Sequence, residues 1–283
     1  MCVDGCLQKV SETLDRRGLL LGVSAAAGAA IMGSEFSADE SQSRNSFPSF
    51  NKVVDLTHPY DSRFPHVRGG AAVVEVKANK STAKGDKWNV NTWTIDEHAG
   101  THIDAPIHKN AKGITVEKIP AEDLVLPLAV IDIRDKARKD HDALVTVDDL
   151  VAWEKQHGIL PKRCCVAMNS GWEARLNPAK PFPNGFINVD RGGVKHFPGF
   201  DIRAAEMLFH ERSVVALATD TPSLDHGATQ DFPVHVLWLG GNRYGLENVA
   251  SLSNVPPKGA TLVAGAPKVT GASGGPTRIL ALT

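Results

Sequence analysis

Three of the eleven histidines in this 283-residue sequence fall in one short run, His98-Ala-Gly-Thr-His102-Ile-Asp104-Ala-Pro-Ile-His108. His98, Gly100, His102, Asp104, Pro106 and His108 all occupy even positions, so an extended chain carries them on one face. Gly100 leaves a gap in that row for a close approach or a bulge, and Pro106 holds Ala105 out of the helical region. A helix would also bring His98 and His102 together, but Gly-Thr and then Ala-Pro interrupt it. Three imidazoles and a carboxylate gathered without a partner repel when protonated and are costly to bury. A divalent cation resolves the conflict by taking neutral imidazole nitrogens and a carboxylate oxygen as ligands, and zinc and manganese both suit that donor set. Such an ion lowers the pKa of a water it holds to about 7. An imidazole outside the ligand set can then carry the proton to a leaving group. His108, beyond the proline and furthest along the row, is the candidate catalytic residue. Gly271 to Gly275 matches the Gly-x-Ser-x-Gly string but not the strand-turn-helix setting of a nucleophile elbow, and no Gly-rich phosphate loop precedes a helix. Gly271-Ala-Ser-Gly-Gly275 reads as a turn-rich loop between strands.

Mostly short strands must position these residues. Lys52–His58, Ala71–Lys77 and Trp88–Asp96 are rich in β-branched and aromatic residues and alternate with period two. Leu128–Ile133, Cys164–Met168 and Ser213–Thr219 are continuous apolar runs suited to buried strands, and Thr261–Val263 and Thr277–Leu282 close the chain. Thr146-Val-Asp-Asp149 opens a helix with a capping-box start that Gly158 stops, and Asp201–Arg212 has helical spacing. Helix followed by strand recurs, which predicts a mixed α/β domain with a partly parallel sheet. Adjacent Cys164 and Cys165 would point to opposite faces of a strand, so they read as core and not as a disulfide.

Lys plus Arg (31) nearly balances Asp plus Glu (32), which leaves no electrostatic footprint for nucleic acid or an anionic membrane. The expected partner is a small-molecule substrate. Near the start, Asp15-Arg16-Arg17-Gly18-Leu19-Leu20-Leu21 leads into an Ala- and Gly-rich apolar stretch ending at Met32. Paired arginines before a short, mildly apolar segment form the pattern of a twin-arginine export signal. The stretch is shorter than the roughly 20 residues needed to span a bilayer. Residues 1–38 are therefore expected to be the signal, 39–50 a flexible polar leader and 51–283 the functional domain. The expected location is periplasmic or otherwise exported, with no stable membrane insertion after cleavage.

The string His98-x-Gly-Thr-His102-x-Asp104-x-Pro106-x-His108 resembles the signature of the metal-dependent cyclase family, which includes bacterial kynurenine formamidases and isatin hydrolases. Asp55-Leu-Thr-His-Pro59 is similar to the family's opening strand, and Asp220-Thr-Pro-Ser-Leu-Asp225 to its loop after a central strand. His235 and Glu247 resemble the distal ligand pair of the formamidases. The resemblance implies that His98, His102 and Asp104 bind a first metal. Asp104 and Glu247 would bridge to a second that His235 completes, with His108 as proton donor and acceptor. Isatin-hydrolase-like members use a single manganese, so one or two ions per chain are expected. The implied fold is a swivelling β/β/α arrangement with a mixed, barrel-like sheet and few helices, assembled as a homodimer or homotetramer. Phe64, Trp172 and Ser223 are the expected substrate contacts. The stretch Ser62-Arg-Phe-Pro-His-Val-Arg-Gly-Gly70 departs from the formamidase turn, in which a tryptophan precedes Pro-Gly-Asp. The implied activity is metal-dependent hydrolysis of a C–N amide bond in an aryl formamide or a small cyclic amide. The alternatives are a periplasmic metal- or ligand-binding protein without turnover, and a metal-dependent lyase or dehydratase.

Overall fold

The structure, a computed structural model, describes residues 50–67, 73–176 and 185–283. The expected export signal, and the leader apart from Phe50, lie outside the described residues. Among the described residues no helix is long and apolar enough to cross a membrane.

The strands are β1 (Val53–Asp55), β2 (Val74–Lys80), β3 (Val90–Ile95), β4 (His102–Asp104), β5 (Val125–Asp132), β6 (Leu144–Val145) and β7 (Cys165–Asn169). They continue with β8 (Gly199–Phe200), β9 (Ala216–Thr219), β10 (Tyr244–Glu247), β11 (Ala260–Gly265), β12 (Gly274–Pro276) and β13 (Arg278–Leu282). Nine of them form one sheet in the order β1-β13-β11-β5-β7-β9-β10-β4-β12. Its centre, β5-β7-β9-β10, is parallel and both flanks are antiparallel, so the sheet is mixed as expected. Only Thr277 separates β12, at one edge, from β13, which lies beside the opposite edge. Thr57, just past edge strand β1, bridges Val249, just past β10. Both links require the sheet to curl until its edges approach, which gives the barrel-like form.

Alternation along the strands sorts side chains between two cores. Leu126, Leu128 and Val130 of β5 join Ile103, Ala218, Leu246 and Leu262 in one cluster. Ala129 and Ile131 join Val166, Leu217 and the helices in the other. Cys165 belongs to the first cluster and Cys164 to the second; both are buried, free thiols, as their adjacency predicted.

The helices are α1 (Arg134–Ala137), α2 (Val147–His157), α3 (Ile202–Glu206) and α4 (Pro233–Gly240). The capping box at Thr146 and Asp149 starts α2, and Gly158, at φ +85°, ends it. The helix expected over Asp201–Arg212 instead changes from α to a π turn at Met207–Glu211, where Phe209 packs on Trp238 of α4. No helix was expected at α4. The run Val-His-Val-Leu-Trp-Leu is apolar nearly all round, as a buried helix is, so its periodicity carries no signal. Pro233 at the first turn was the available cue. β2 and β3 form a separate hairpin in which Val76 lies opposite Trp93, both exposed.

Candidate metal centre

The motif does not run extended from His98 to His108. Only His102–Asp104 is strand, and Pro106–His108 is a 3-10 turn. Gly100 breaks the extended row with φ +61°, a left-handed conformation. A Cβ at Gly100 would lie 2.2 Å from Cδ2 of the Tyr60 ring, so the close approach expected there is real. The histidines therefore converge through a turn, a strand and a second turn, not along one strand face.

Neighbouring strands complete the cluster. Glu247 on β10 stands opposite His102, and Gly274 on β12 stands opposite Asp104 on the other side of β4. His235 projects from the first turn of α4. His102 Nε2 lies 3.2 Å from Asp104 Oδ1 and 3.4 Å from Glu247 Oε2. His235 Nε2 lies 3.1 Å from Glu247 Oε1 and 3.4 Å from Asp104 Oδ2. His98 Nδ1 lies 2.6 Å from Asp104 Oδ1. His98, Asp104 and His108 form one group whose ligand atoms all lie within 4.8 Å of one another, and His102, Asp104 and Glu247 form another.

Each of the three histidines nearest the carboxylates has one nitrogen tied away from the cluster. His102 Nδ1–H donates to Gly100 O at 3.0 Å, and Asn248 Nδ2 donates to the same oxygen at 2.7 Å. His235 Nδ1–H donates to Asp225 Oδ2 at 2.6 Å. His98 Nε2 meets Ser273 Oγ at 2.8 Å. The second nitrogens all face Asp104 or Glu247, and His102 Nε2 is buried there without a hydrogen-bond partner. A buried nitrogen between two carboxylates, with no hydrogen-bond partner of its own, is a donor that a divalent cation would satisfy. Oxygen and imidazole donors separated by about 3 Å also suit ligand bonds of roughly 2.0–2.2 Å. The residues fit a divalent metal.

The electrostatics agree. Burial alone would lower the His102 pKa, but Asp104 and Glu247 reverse the sign and hold it at about 9. Burial would likewise lower His235, yet Asp104, Asp225 and Glu247 hold it well above its ordinary value. Burial disfavours charge on Asp104, but its histidine neighbours keep it well below the usual carboxylate range. Burial pushes Glu247 up, and the nearby Asp104 charge adds to that. Without a metal, protons on imidazoles balance the two carboxylates; a cation would take their place. His108 differs. Burial pushes it down to about 4, and it is neutral at neutral pH.

Metal-site candidates His98, His102, Asp104, His235 and Glu247 thus come together, with His108 stacked on His98 at a ring separation of 3.8 Å. Ser223 joins them on the wall of a cavity of about 280 Å³. Phe64 and Trp172 do not line it. They lie behind it in a cluster with Phe186, Ile187 and Phe197, and Trp172 Nε1 donates to Phe186 O at 2.7 Å. Phe64 was expected at the substrate because it lies in the stretch that corresponds to the formamidase tryptophan turn, and Trp172 as a pocket aromatic; the fold packs both into this cluster and off the cavity wall. The cavity's aromatic walls are instead Phe197 and Phe232, with Lys109 Nζ 5.0 Å from the Phe232 ring centre. The Gly271–Gly275 loop is also more than a turn, since Ser273 reaches His98. Asp225 was visible in the sequence only as the end of a loop; nothing local marked it as the partner of His235.

The family profile described as putative cyclase matches residues 54–226. An isatin hydrolase of Roseibium aggregatum is 32% identical over 214 residues, covering 73% of this chain and 79% of that one. A kynurenine formamidase of Salinibacter ruber is 24% identical over 193 residues, covering 67% and 78% respectively. The solved structure of isatin hydrolase A from Ralstonia solanacearum superimposes with a TM-score of 0.73 at 34% identity, covering 81% of this chain and 91% of that one. With the profile matching more than half of this chain and the fold shared with a solved relative at 34% identity, the chain belongs to the cyclase family.

Proposed function

We propose that this protein is a metal-dependent hydrolase that cleaves the C–N amide bond of a small aromatic substrate, either an aryl formamide or a cyclic amide of the isatin kind. The observation that carries the reading is the buried, unpartnered His102 Nε2 between two carboxylates, beside a neutral imidazole with a depressed pKa. The names of the relatives support the choice of bond.

His98, His102 and Asp104 would hold one ion, with Glu247 and His235 supplying donors to the same ion or to a second. When bound, the ion supplies Lewis acidity, polarising a carbonyl and making water easier to deprotonate. The chain's own residues do the rest. Phe232, exposed at the cavity wall, offers an apolar face for an aromatic ring. His108, neutral at neutral pH, accepts a proton as water oxygen adds to the carbonyl carbon. It returns that proton to the nitrogen as the C–N bond breaks, leaving a carboxylic acid and an amine. Asp225 holds His235 by its Nδ1–H, so the ring cannot turn its other nitrogen away.

The test is hydrolysis of N-formylkynurenine and of isatin by metal-reconstituted protein, with and without a chelator, alongside His108→Ala. Chelator-sensitive turnover that His108→Ala reduces by about 10²–10⁴-fold is expected. Turnover without incorporation of water would replace the reading with a lyase. Metal-loaded protein that turns over neither compound would favour a binding protein.

A further inference from the structure

A hydrogen-bond chain reaches the metal centre through His98 and has no part in the steps above. Ser273 Oγ carries one proton, which it donates to Glu97 Oε2 at 2.5 Å; that oxygen also accepts the Ser273 backbone N–H at 3.2 Å. The hydroxyl oxygen is then free only to accept, and the group facing it is His98 Nε2 at 2.8 Å. The ring proton of His98 is therefore fixed on Nε2. Its Nδ1 lone pair faces Asp104 Oδ1 at 2.6 Å, a separation two acceptors tolerate only when a proton or a metal joins them.

His102 and His235 are held the opposite way round, each with Nδ1–H tied back and Nε2 toward the carboxylates. The backbone makes room for this reversed ring. A Cβ at Gly274 would meet His98 Cε1 at 2.7 Å and Ile103 O at 2.3 Å, so only glycine lets the ring lie against β12. The serine is anchored independently of its side chain, because Ala105 N–H donates to Ser273 O at 2.9 Å.

We propose that Glu97 and Ser273 are positioning residues that lock His98 as the Nε2–H tautomer, so that it ligates the metal through Nδ1 while its two neighbours use Nε2. This rests on the metal-centre reading given above. Partners of this kind set both the tautomer and the orientation of a ligating ring, and their loss characteristically weakens metal binding about 10–100-fold.

The full chain, labelled with ¹⁵N-histidine, would be studied with zinc as the probe by competition against a chromophoric chelator and by long-range ¹H–¹⁵N spectra. In the zinc-loaded chain the ring proton should sit on Nε2 of His98 but on Nδ1 of His102 and His235. Ser273→Ala and Glu97→Gln should each weaken zinc binding about 10–100-fold, and Ser273→Thr, which keeps the hydroxyl, should restore it. Wild-type zinc affinity in both variants, or a His98 proton on Nδ1, overturns the proposal. Should the wild-type chain take up no zinc, the metal-centre reading fails. The His98 tautomer of the metal-free chain in alkaline solution then decides the relay on its own. A Ser273→Ala chain that does not fold leaves Glu97→Gln to decide between the same two outcomes.

Discussion

Gly100→Ala tests whether the left-handed residue inside the motif is what builds the centre. At φ +61° a residue with a Cβ costs about 1–2 kcal/mol more than glycine. The new Cβ would also lie 2.2 and 2.6 Å from two carbons of the Tyr60 ring, so that ring must move by more than an ångström. Tyr60 is held by its hydroxyl, which donates to Asp96 O at 2.5 Å, and losing that bond costs about 0.5–1.5 kcal/mol. Together these give a destabilisation of about 1.5–3.5 kcal/mol. Urea unfolding of the metal-free chain measures it, and repeating the substitution in a Tyr60→Ala background separates the two causes. In that background only the backbone penalty, about 1–2 kcal/mol, should remain. The Gly100 carbonyl holds both His102 Nδ1 and Asn248 Nδ2, so metal affinity should fall along with stability. A Gly100→Ala chain within about 0.5 kcal/mol of wild type, with unchanged metal affinity, would refute the argument.

Other consequences follow from the same geometry. Asp225 accepts from the backbone of Val234 and His235 as well as from the His235 ring. Asp225→Asn, which sets an amide donor among those donors, should weaken metal binding about 10–100-fold in a chelator competition, and an unchanged affinity would remove the orienting role. His102 sits at about 9 in the folded, metal-free chain against an ordinary 6.5, so its stabilising contribution is complete below 6.5 and is lost as pH rises toward 9. Metal must displace that proton, so apparent affinity should climb by up to about tenfold per pH unit over the same window and then level off; titrations showing no rise there would contradict it. His108, depressed to about 4, should remain a working base well below pH 6.5, and an acid limb of kcat/KM near 6.5 in metal-saturated enzyme would argue against its assignment. Replacing both Arg16 and Arg17 with Lys should leave unprocessed precursor inside the cell if residues 1–38 act as expected, whereas undiminished export would dismiss that expectation.

The strands were largely legible in the sequence because burial on two faces or one leaves a direct record in apolar runs and alternation. Val125–Asp132, Cys165–Asn169 and Ala216–Thr219 all fall on such runs. The cap at Thr146 was legible because both hydrogen-bonding partners lie within one turn. His98, His102, Asp104 and His108 were legible because four ligand-type residues in one short run have few structural uses, and His235 and Glu247 followed from a resemblance, not from their own surroundings. Tertiary structure decided the rest. Gly100 bends the motif, so the even-numbered row that suggested convergence is not the route by which its histidines meet. Phe64 and Trp172 are aromatic enough to hold a substrate, but packing against Phe186 took them off the cavity wall, and Phe197 and Phe232 stand there instead. Ser273 lies 175 residues from His98 and reaches it only because the sheet curls and lays β12 beside β4. Local sequence records which groups a residue can bond and which face it hides. It does not record the neighbours that strand pairing brings from far along the chain, and those neighbours set the tautomer, the pKa and the wall of this site.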